Sequence, residues 1–331
     1  MGLTLEFHEV ADLPSLDRLW AEETDWGEQS SELRRWFMEA PFGKPSVVIA
    51  TDGETGKAVG QFRFMPVRVS VNGRDVNAVR PFGTIVTKEA HEAAAARGPL
   101  ENPIWAMYFR GADEFRARGT GLIYIVPDER WVGFLKRGSV ILAMAGMKYG
   151  SFPLWSIPLP LTDGPLSLGE GFTASSNVNW DEVDQLWEAS RKLHGCMVVR
   201  EASVLRWKLT QAAFTVTTVE REGKLAGLVA SREKGDRQWL ICDLLAIDDG
   251  PALRATLAAA VNAGHEEAVA RAAANELRKV GVLATSVMEP VIGSLGFVRD
   301  EYDFPLVVQV LDKTLHADDV KPERWYVSAN D

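Results

Sequence analysis

The sequence predicts an α/β protein with mixed α+β sheets, arranged as two tandem domains, and three observations carry that prediction. Residues 84–138 alternate apolar strand runs (Thr84-Ile85-Val86, then Leu122-Ile123-Tyr124-Ile125-Val126) with a helical stretch closing on Arg118-Gly119, the order of a strand–helix–strand unit. Matched segments recur at a spacing of roughly 160–170 residues, too long for a solenoid and suited to a duplicated domain. Residues 151–179 hold Pro153, Pro158, Pro160 and Pro165 among Gly and Ser, the composition of a linker. The expected organisation is an N-terminal domain over 1–150, this linker, and a C-terminal domain over 180–331.

Taken in order, residues 4–9 alternate apolar and polar side chains as a half-buried strand does. Asp12 is expected to cap a helix with Leu13, Leu16, Leu19 and Trp20 on one face. Ser30 or Ser31 caps a second helix carrying Leu33, Trp36 and Phe37, which Pro41-Phe42-Gly43-Lys44-Pro45 ends. Strands are expected over 46–50 and 58–70, Asn72-Gly73 turns a hairpin, and 75–86 returns. In the second half, 181–193 is an amphipathic helix with Val183, Leu186 and Trp187. Leu205-Arg206-Trp207 echoes Leu33-Arg34-Arg35-Trp36, and strands are expected over 214–219, 239–247 and 282–288. The Ala-rich run 252–279 is long for one helix, so a break is expected near Gly264. Residues 155–161 are expected to finish the first sheet, and Trp325-Tyr326 to pack back on a domain. Trp20, Trp36, Trp187 and Trp207 read as core.

Composition narrows the function. A chain of 331 residues, 46% hydrophobic and 25% charged, has material for about two domains with substantial cores. A net charge of −10 without a dense Lys/Arg run argues against a nucleic-acid partner. Cys196 and Cys242 make no disulfide framework, and the scattered histidines give no metal-ligand spacing. No apolar run approaches the ~20 residues of a membrane span. The start, Met1-Gly2-Leu3-Thr4-Leu5-Glu6, lacks the basic and apolar regions of a secretion signal. A cytoplasmic protein without a membrane partner is expected.

A strand that feeds a helix through a glycine turn leaves backbone N–H groups pointing outward, which makes an anion site. The loop ending Arg97-Gly98-Pro99-Leu100, ahead of a helix from about Asn102, is therefore the candidate site for a cofactor phosphate or pyrophosphate. Asp128, at a strand end, either caps the following helix or has a functional role. Asp243 lies in an apolar strand and needs a partner: an arginine pairs with it, or it is a base whose pKa burial has raised. Gln61 and Arg63 read substrate if they face a cleft and are otherwise solvated.

The order of elements in each half resembles the GNAT N-acetyltransferase superfamily over nearly all the chain, as two tandem GNAT-like domains. The best local markers are the Val59-Gly60 strand, the Arg97-Gly98 loop with its helix ending at Arg118-Gly119, and the segment from Trp131 to Gly138. The resemblance implies acetyl-CoA or another acyl-CoA as co-substrate. Its pyrophosphate would lie on Arg97, Gly98, Pro99 and Leu100, and its pantetheine along Thr84, Ile85 and Val86, beside Asp128 and Phe134. The acyl group would pass to an amine of a small molecule in a cleft near the domain interface, where Gln61 and Arg63 would read the acceptor. Asp243 and Asp128 are the candidate catalytic residues, Asp128 by holding the pantetheine amide or a water. The loop departs from the family in having one clear glycine, with Pro99 and Glu101 nearby. Phe134, and Ile292 in the second half, stand where the family often places a tyrosine acid. The second loop, Asp248-Asp249-Gly250-Pro251, is acidic, a poor phosphate nest. These departures define an alternative, a degenerate GNAT pair that binds acyl-CoA or a metabolite without turnover. A Fem-type aminoacyl transferase also has two GNAT-like domains, but its acidic tRNA partner conflicts with the net charge of −10.

Overall fold

The computed structural model describes residues 2–24, 27–95, 102–127, 131–235, 237–271 and 277–331. The chain divides into two compact units. The first comprises Met1–Val69, Asp75–Tyr149 and Val307–Asp318, and the second Ser70–Arg74, Gly150–Leu306 and Asp319–Asp331.

In the first unit the order is β1 (Leu3–His8), α1 (Pro14–Glu23), α2 (Ser31–Met38), β2 (Ser46–Asp52), β3 (Ala58–Val71) and β4 (Arg74–Val86). There follow α3 (Lys88–Ala95), α4 (Pro103–Ala117), β5 (Leu122–Ile125), α5 (Val132–Arg137) and α6 (Ser139–Met144). β1 pairs antiparallel with β2, and β2 with β3. β4 and β5 run parallel and pair only at Ala78↔Leu122 and Val79↔Ile123. Beyond Val79 the two strands part.

Alternation along β3 sets the two faces of the sheet. Phe62 and Phe64 join Trp105, Met107, Tyr108, Ala112 and Phe115 of α4 in the main core. Gly111 allows that approach, because a Cβ there would lie 2.4 Å from Cζ of Phe64. Gln61 and Arg63 take the other face, where Arg63 meets Trp20 of α1. Ser30 caps α2 by accepting from the Leu33 N–H at 3.1 Å. Asp12 does not cap α1: the N-cap is Leu13, Pro14 opens the helix, and Asp12 faces Arg34 at 3.7 Å. Proline needs no acceptor for an N–H it lacks, so the helix starts without a side-chain cap.

The second unit continues with β6 (Lys148–Pro158), β7 (Phe172–Ser175), α7 (Trp180–Ser190), β8 (Cys196–Val198), α8 (Ala202–Leu209), β9 (Thr215–Arg221) and β10 (Lys224–Lys234). After these come β11 (Gln238–Ala246), α9 (Pro251–Ala270), β12 (Lys279–Leu283), α10 (Glu289–Ser294), β13 (Val298–Val310) and β14 (Trp325–Tyr326). β9, β10 and β11 are antiparallel, and β11 pairs parallel with β12 only over Gln238 to Leu240. This unit therefore has its own parted pair of parallel strands. Ala255 and Ala259 of α9 pack on Val219 of β9, and small side chains let the helix sit close to the sheet. The tail docks as the aromatic pattern predicts, with Trp325 of β14 opposite Cys196 of β8.

Three expectations change. Residues 155–161 do not finish the first sheet: β6 pairs antiparallel with β12, Val280↔Ile157 among them, in the second unit. The strand closing the first sheet comes from the far end of the chain, as Val307–Val310 of β13 pair with β5. Apolar alternation marks a strand but does not say which edge it joins. Within 151–179, β7 pairs with β9, and this stretch belongs to the second unit. Finally, α9 runs unbroken through Gly264. A Cβ there would lie 2.8 Å from Trp239 and 2.9 Å from Val280, so the glycine serves close packing rather than a kink.

Candidate functional site

The parting of β4 and β5 creates the main candidate site of the first unit. Gly83 of β4 has φ +53°, a left-handed turn within the strand. Past Val79 the backbone of β4 has no β5 partner, so its N–H and C=O groups on that side are open to an extended ligand. On the α4 face lies an apolar pocket of about 40 Å³, lined by Phe62, Pro81, Trp105, Ile125, Pro127 and Phe134 among others. The Tyr108 hydroxyl beside it donates to Oε1 of Gln309 at 2.8 Å, and burial pushes its pKa far up. It is thus a fixed neutral group rather than a proton source.

The residues singled out in the sequence are distributed as follows. Ile85 packs with Leu19 and Trp20, Val86 lies against the α4-side core, and Thr84 is half-buried, all beyond the last β4–β5 pair. Phe134 is a wall of the apolar pocket, stacked on Trp105 with ring centroids 5.0 Å apart and 17° between planes. It holds no proton to give. Arg97, Gly98, Pro99, Leu100 and Asp128 lie outside the described residues. The α4 N-terminus is capped by Asn102, whose Oδ1 accepts from the Ile104 N–H at 3.0 Å.

Gln61 and Arg63 are not solvated side chains: their residues are 0% and 2% exposed. The Gln61 amide donates to the Gly83 carbonyl at 3.1 Å, while its Oε1 meets no donor among the described residues. Arg63 donates from Nη1 to Oε1 of Gln29 at 3.1 Å and lies over the Trp20 ring at 5.1 Å. Its Nε meets no acceptor among the described residues, and burial lowers its pKa to about 10.

Asp243 lies in the second unit, completely buried, with an arginine on it. Arg200 donates from Nε to Oδ1 at 2.5 Å, and the Lys208 ammonium is 2.7 Å from Oδ2. Both cations also bind Asp331, Lys208 at 3.0 Å, and the Ser328 N–H donates to Asp331 at 2.9 Å. Two cations thus meet two carboxylates, all four side chains buried. Burial raises the Asp331 pKa, but Arg200 and Lys208 outweigh it and hold the carboxyl well below the usual range. The sequence reading missed Arg200, Lys208 and Asp331. Arg200 could have been found: it directly follows the apolar run Cys196-Met197-Val198-Val199, where a charge needs a buried partner.

The second helix start is already occupied by a side chain. Oδ1 of Asp248 accepts from the N–H groups of Gly250 at 3.0 Å and Ala252 at 2.9 Å. Pro251 supplies no N–H. A phosphate here would meet a fixed carboxylate and find its donors taken. Ile292 is buried in α10. Among the described residues, no group of three or more His, Cys, Asp or Glu could hold a metal ion, and no helix is long and apolar enough to cross a membrane.

His194, half-buried with its ring 4.8 Å from that of Tyr326, has a pKa pushed down to about 4, by burial first and by the Arg200 charge second. The unfolded chain takes up this proton near pH 6.5, where the folded protein refuses it, so stability falls as pH drops from about 6.5 to 4. Urea unfolding is expected to lose about 1–2 kcal/mol between pH 7 and pH 5 through this group. His194→Phe should flatten that slope; an unchanged slope would place the titration elsewhere.

No family model matches the sequence, and no curated protein does. Solved structures do match in fold. A conserved protein of unknown function from Enterococcus faecalis, described as a probable N-acyltransferase, aligns at TM-score 0.65 and 11% identity, covering 94% of this chain and 73% of that one. A tandem GNAT protein from the clavulanic acid biosynthesis pathway aligns at TM-score 0.55 and 15% identity, covering 94% and 99%. N-myristoyltransferase of Saccharomyces cerevisiae, solved with bound myristoyl-CoA, aligns at 0.54 and 14%, covering 97% and 83%. The chain shares its fold with these structures, a tandem GNAT protein among them, as its order of elements predicts.

Proposed function

We propose that this chain is an acyl-CoA-dependent N-acyltransferase, acetyl-CoA being the simplest donor, and that the first unit holds the donor. The observation that carries this is the opening of β4 and β5 past Val79, with an apolar pocket on its α4 face. Pantetheine would add to the free edge of β4 along Thr84, Ile85 and Val86 through backbone hydrogen bonds. The pyrophosphate would lie on the loop of Arg97, Gly98, Pro99 and Leu100 ahead of α4, with Asp128 near the thiol end.

The acceptor nitrogen, as the free amine, would then attack the thioester carbonyl; the C–S bond would break, and coenzyme A would leave as a thiolate that takes up the proton the nitrogen loses. A thiol of pKa about 8.5 is a tolerable leaving group, so Phe134 in place of an acid does not forbid turnover. Positioning supplies most of the acceleration. Asp243, fully engaged by Arg200 and Lys208, holds the second unit together, which scaffolds the chain. The alternative is a pair of degenerate domains that binds acyl-CoA without turnover; the self-capped α9 start favours it for the second unit.

Isothermal titration with acetyl-CoA, followed by free-thiol release across a panel of amines, tests this. Saturable heat with amine-dependent thiol release is expected. Heat without thiol release supports the binding alternative, and no heat at high concentration sinks both.

A further inference from the structure

Two polar groups on the α1 face of β3 are left incomplete by the fold. Arg63 has no carboxylate within ion-pair distance among the described residues, and Asp17 and Asp12 act on its charge only from farther off. Both carboxylates are committed: Asp12 and Asp17 lie 3.7 and 2.6 Å from Arg34. Its hydrogen-bond acceptor is a neutral amide, Gln29, a half-buried residue between exposed neighbours, and its Nε meets no acceptor among the described residues. Gln61, two residues earlier on the same face, has a buried Oε1 that meets no donor among the described residues. A buried charge or acceptor without a partner is costly and is retained where a ligand completes it.

Position fits a substrate. Gln61 is hydrogen-bonded to the Gly83 carbonyl, and the Gly83 turn lies past Val79, where β4 and β5 have parted. Residues i and i+2 of a strand are about 6.6 Å apart, within reach of the amine and the acid group of one small molecule. The orphan acceptor suits an amine N–H, and the guanidinium suits a planar carboxylate that takes the place of the Gln29 oxygen.

We propose that the acceptor is an amine bearing a carboxylate, of amino-acid type, with Arg63 binding the carboxylate and Oε1 of Gln61 accepting from the nitrogen to be acylated. This rests on the acyltransferase reading and adds the chemical class of its acceptor.

The test titrates the full-length chain with each of the twenty standard amino acids and, in parallel, with the amine left when each loses its carboxylate. At least one amino acid is expected to bind on the order of 10- to 100-fold more tightly than its decarboxylated partner. Arg63→Gln should erase that difference, and Arg63→Lys should keep part of it. Acetyl-CoA is titrated into the same samples. If the wild type gives no acetyl-CoA heat, the acyltransferase reading falls while amino-acid selection still stands or falls by its own titrations. No preference for any amino acid, or tighter binding of phosphoethanolamine, overturns the proposal. A charge kept for a ligand weakens the fold, so Arg63→Met should melt at the wild-type temperature or above. A lower melting temperature would assign Arg63 to the core and overturn the proposal as well.

Discussion

Asp331→Ala is expected to destabilise the chain by about 3–5 kcal/mol in urea unfolding, a large share of an ordinary protein's stability. The side chain is small and stands at position 331, where a surface reading would predict almost no effect. Its carboxylate instead accepts from Arg200, Lys208 and the Ser328 N–H in the interior. Removing it leaves two buried cations facing Asp243 alone, and the uncompensated charge sets the cost. Asp243→Asn should cost on the same scale for the same reason. Replacing the four charged groups together by apolar residues of similar volume should cost far less, because the penalty belongs to the broken set rather than to the lost attraction. Acid adds a second check. The folded pKa of Asp331 lies below its unfolded value of about 3.9, so its contribution is complete above pH ~4 and is lost as pH falls further. Asp331→Asn should flatten the acid limb below pH 4, a window distinct from that of His194. A loss under about 1 kcal/mol for Asp331→Ala would show that the tail is not seated as described.

The fold was readable because each level of the sequence agreed with the next. Ser30 caps where a cap was expected, Asn72-Gly73 turns the hairpin with φ +49° and +77°, and the repeat returns a second parted strand pair. Long-range pairings were not readable. The pattern of β6 and β13 is satisfied by any sheet with a free apolar edge, and only assembly decides that Val307–Val310 close the first unit. Gly264 was read by its propensity, whereas Trp239 and Val280 need its missing Cβ. The site was legible in part. Gln61 and Arg63 stand out because they lie on the strand beside the expected cofactor strand, but their burial is not readable in one dimension. Of the four tryptophans that read as core, Trp20, Trp36 and Trp187 are buried and Trp207 is half-buried, while Trp105, which the sequence does not single out, walls the pocket. Helical periodicity cannot separate a side chain that fills a core from one that lines its opening.

The assignment of the donor to the first unit makes a prediction with two opposite arms. Ile125 ends β5 and lines the apolar pocket where the strands part. Ile125→Trp fills a space of about 40 Å³, and affinity for acetyl-CoA is expected to fall on the order of 100-fold, the loss of a well-formed apolar contact plus steric exclusion. The half-buried position should spare the melting temperature. In the second unit, Asp248→Ala removes the carboxylate from the α9 start and frees the N–H groups of Gly250 and Ala252. That cap is worth about 1 kcal/mol, so the melting temperature should drop while acetyl-CoA affinity stays within about twofold, because the donor never used this helix start. The reverse pattern, with Ile125→Trp silent and Asp248→Ala changing affinity, would move the donor to the second unit. The two variants separate the units because the same physical feature, amide donors at a helix start after a parted strand, is closed by a side chain in the second unit. In the first, the Asn102 side chain takes one such donor, the Ile104 N–H. The difference lies in charge: Asp248 sets a carboxylate at the α9 start that would repel a phosphate, whereas Asn102 is neutral.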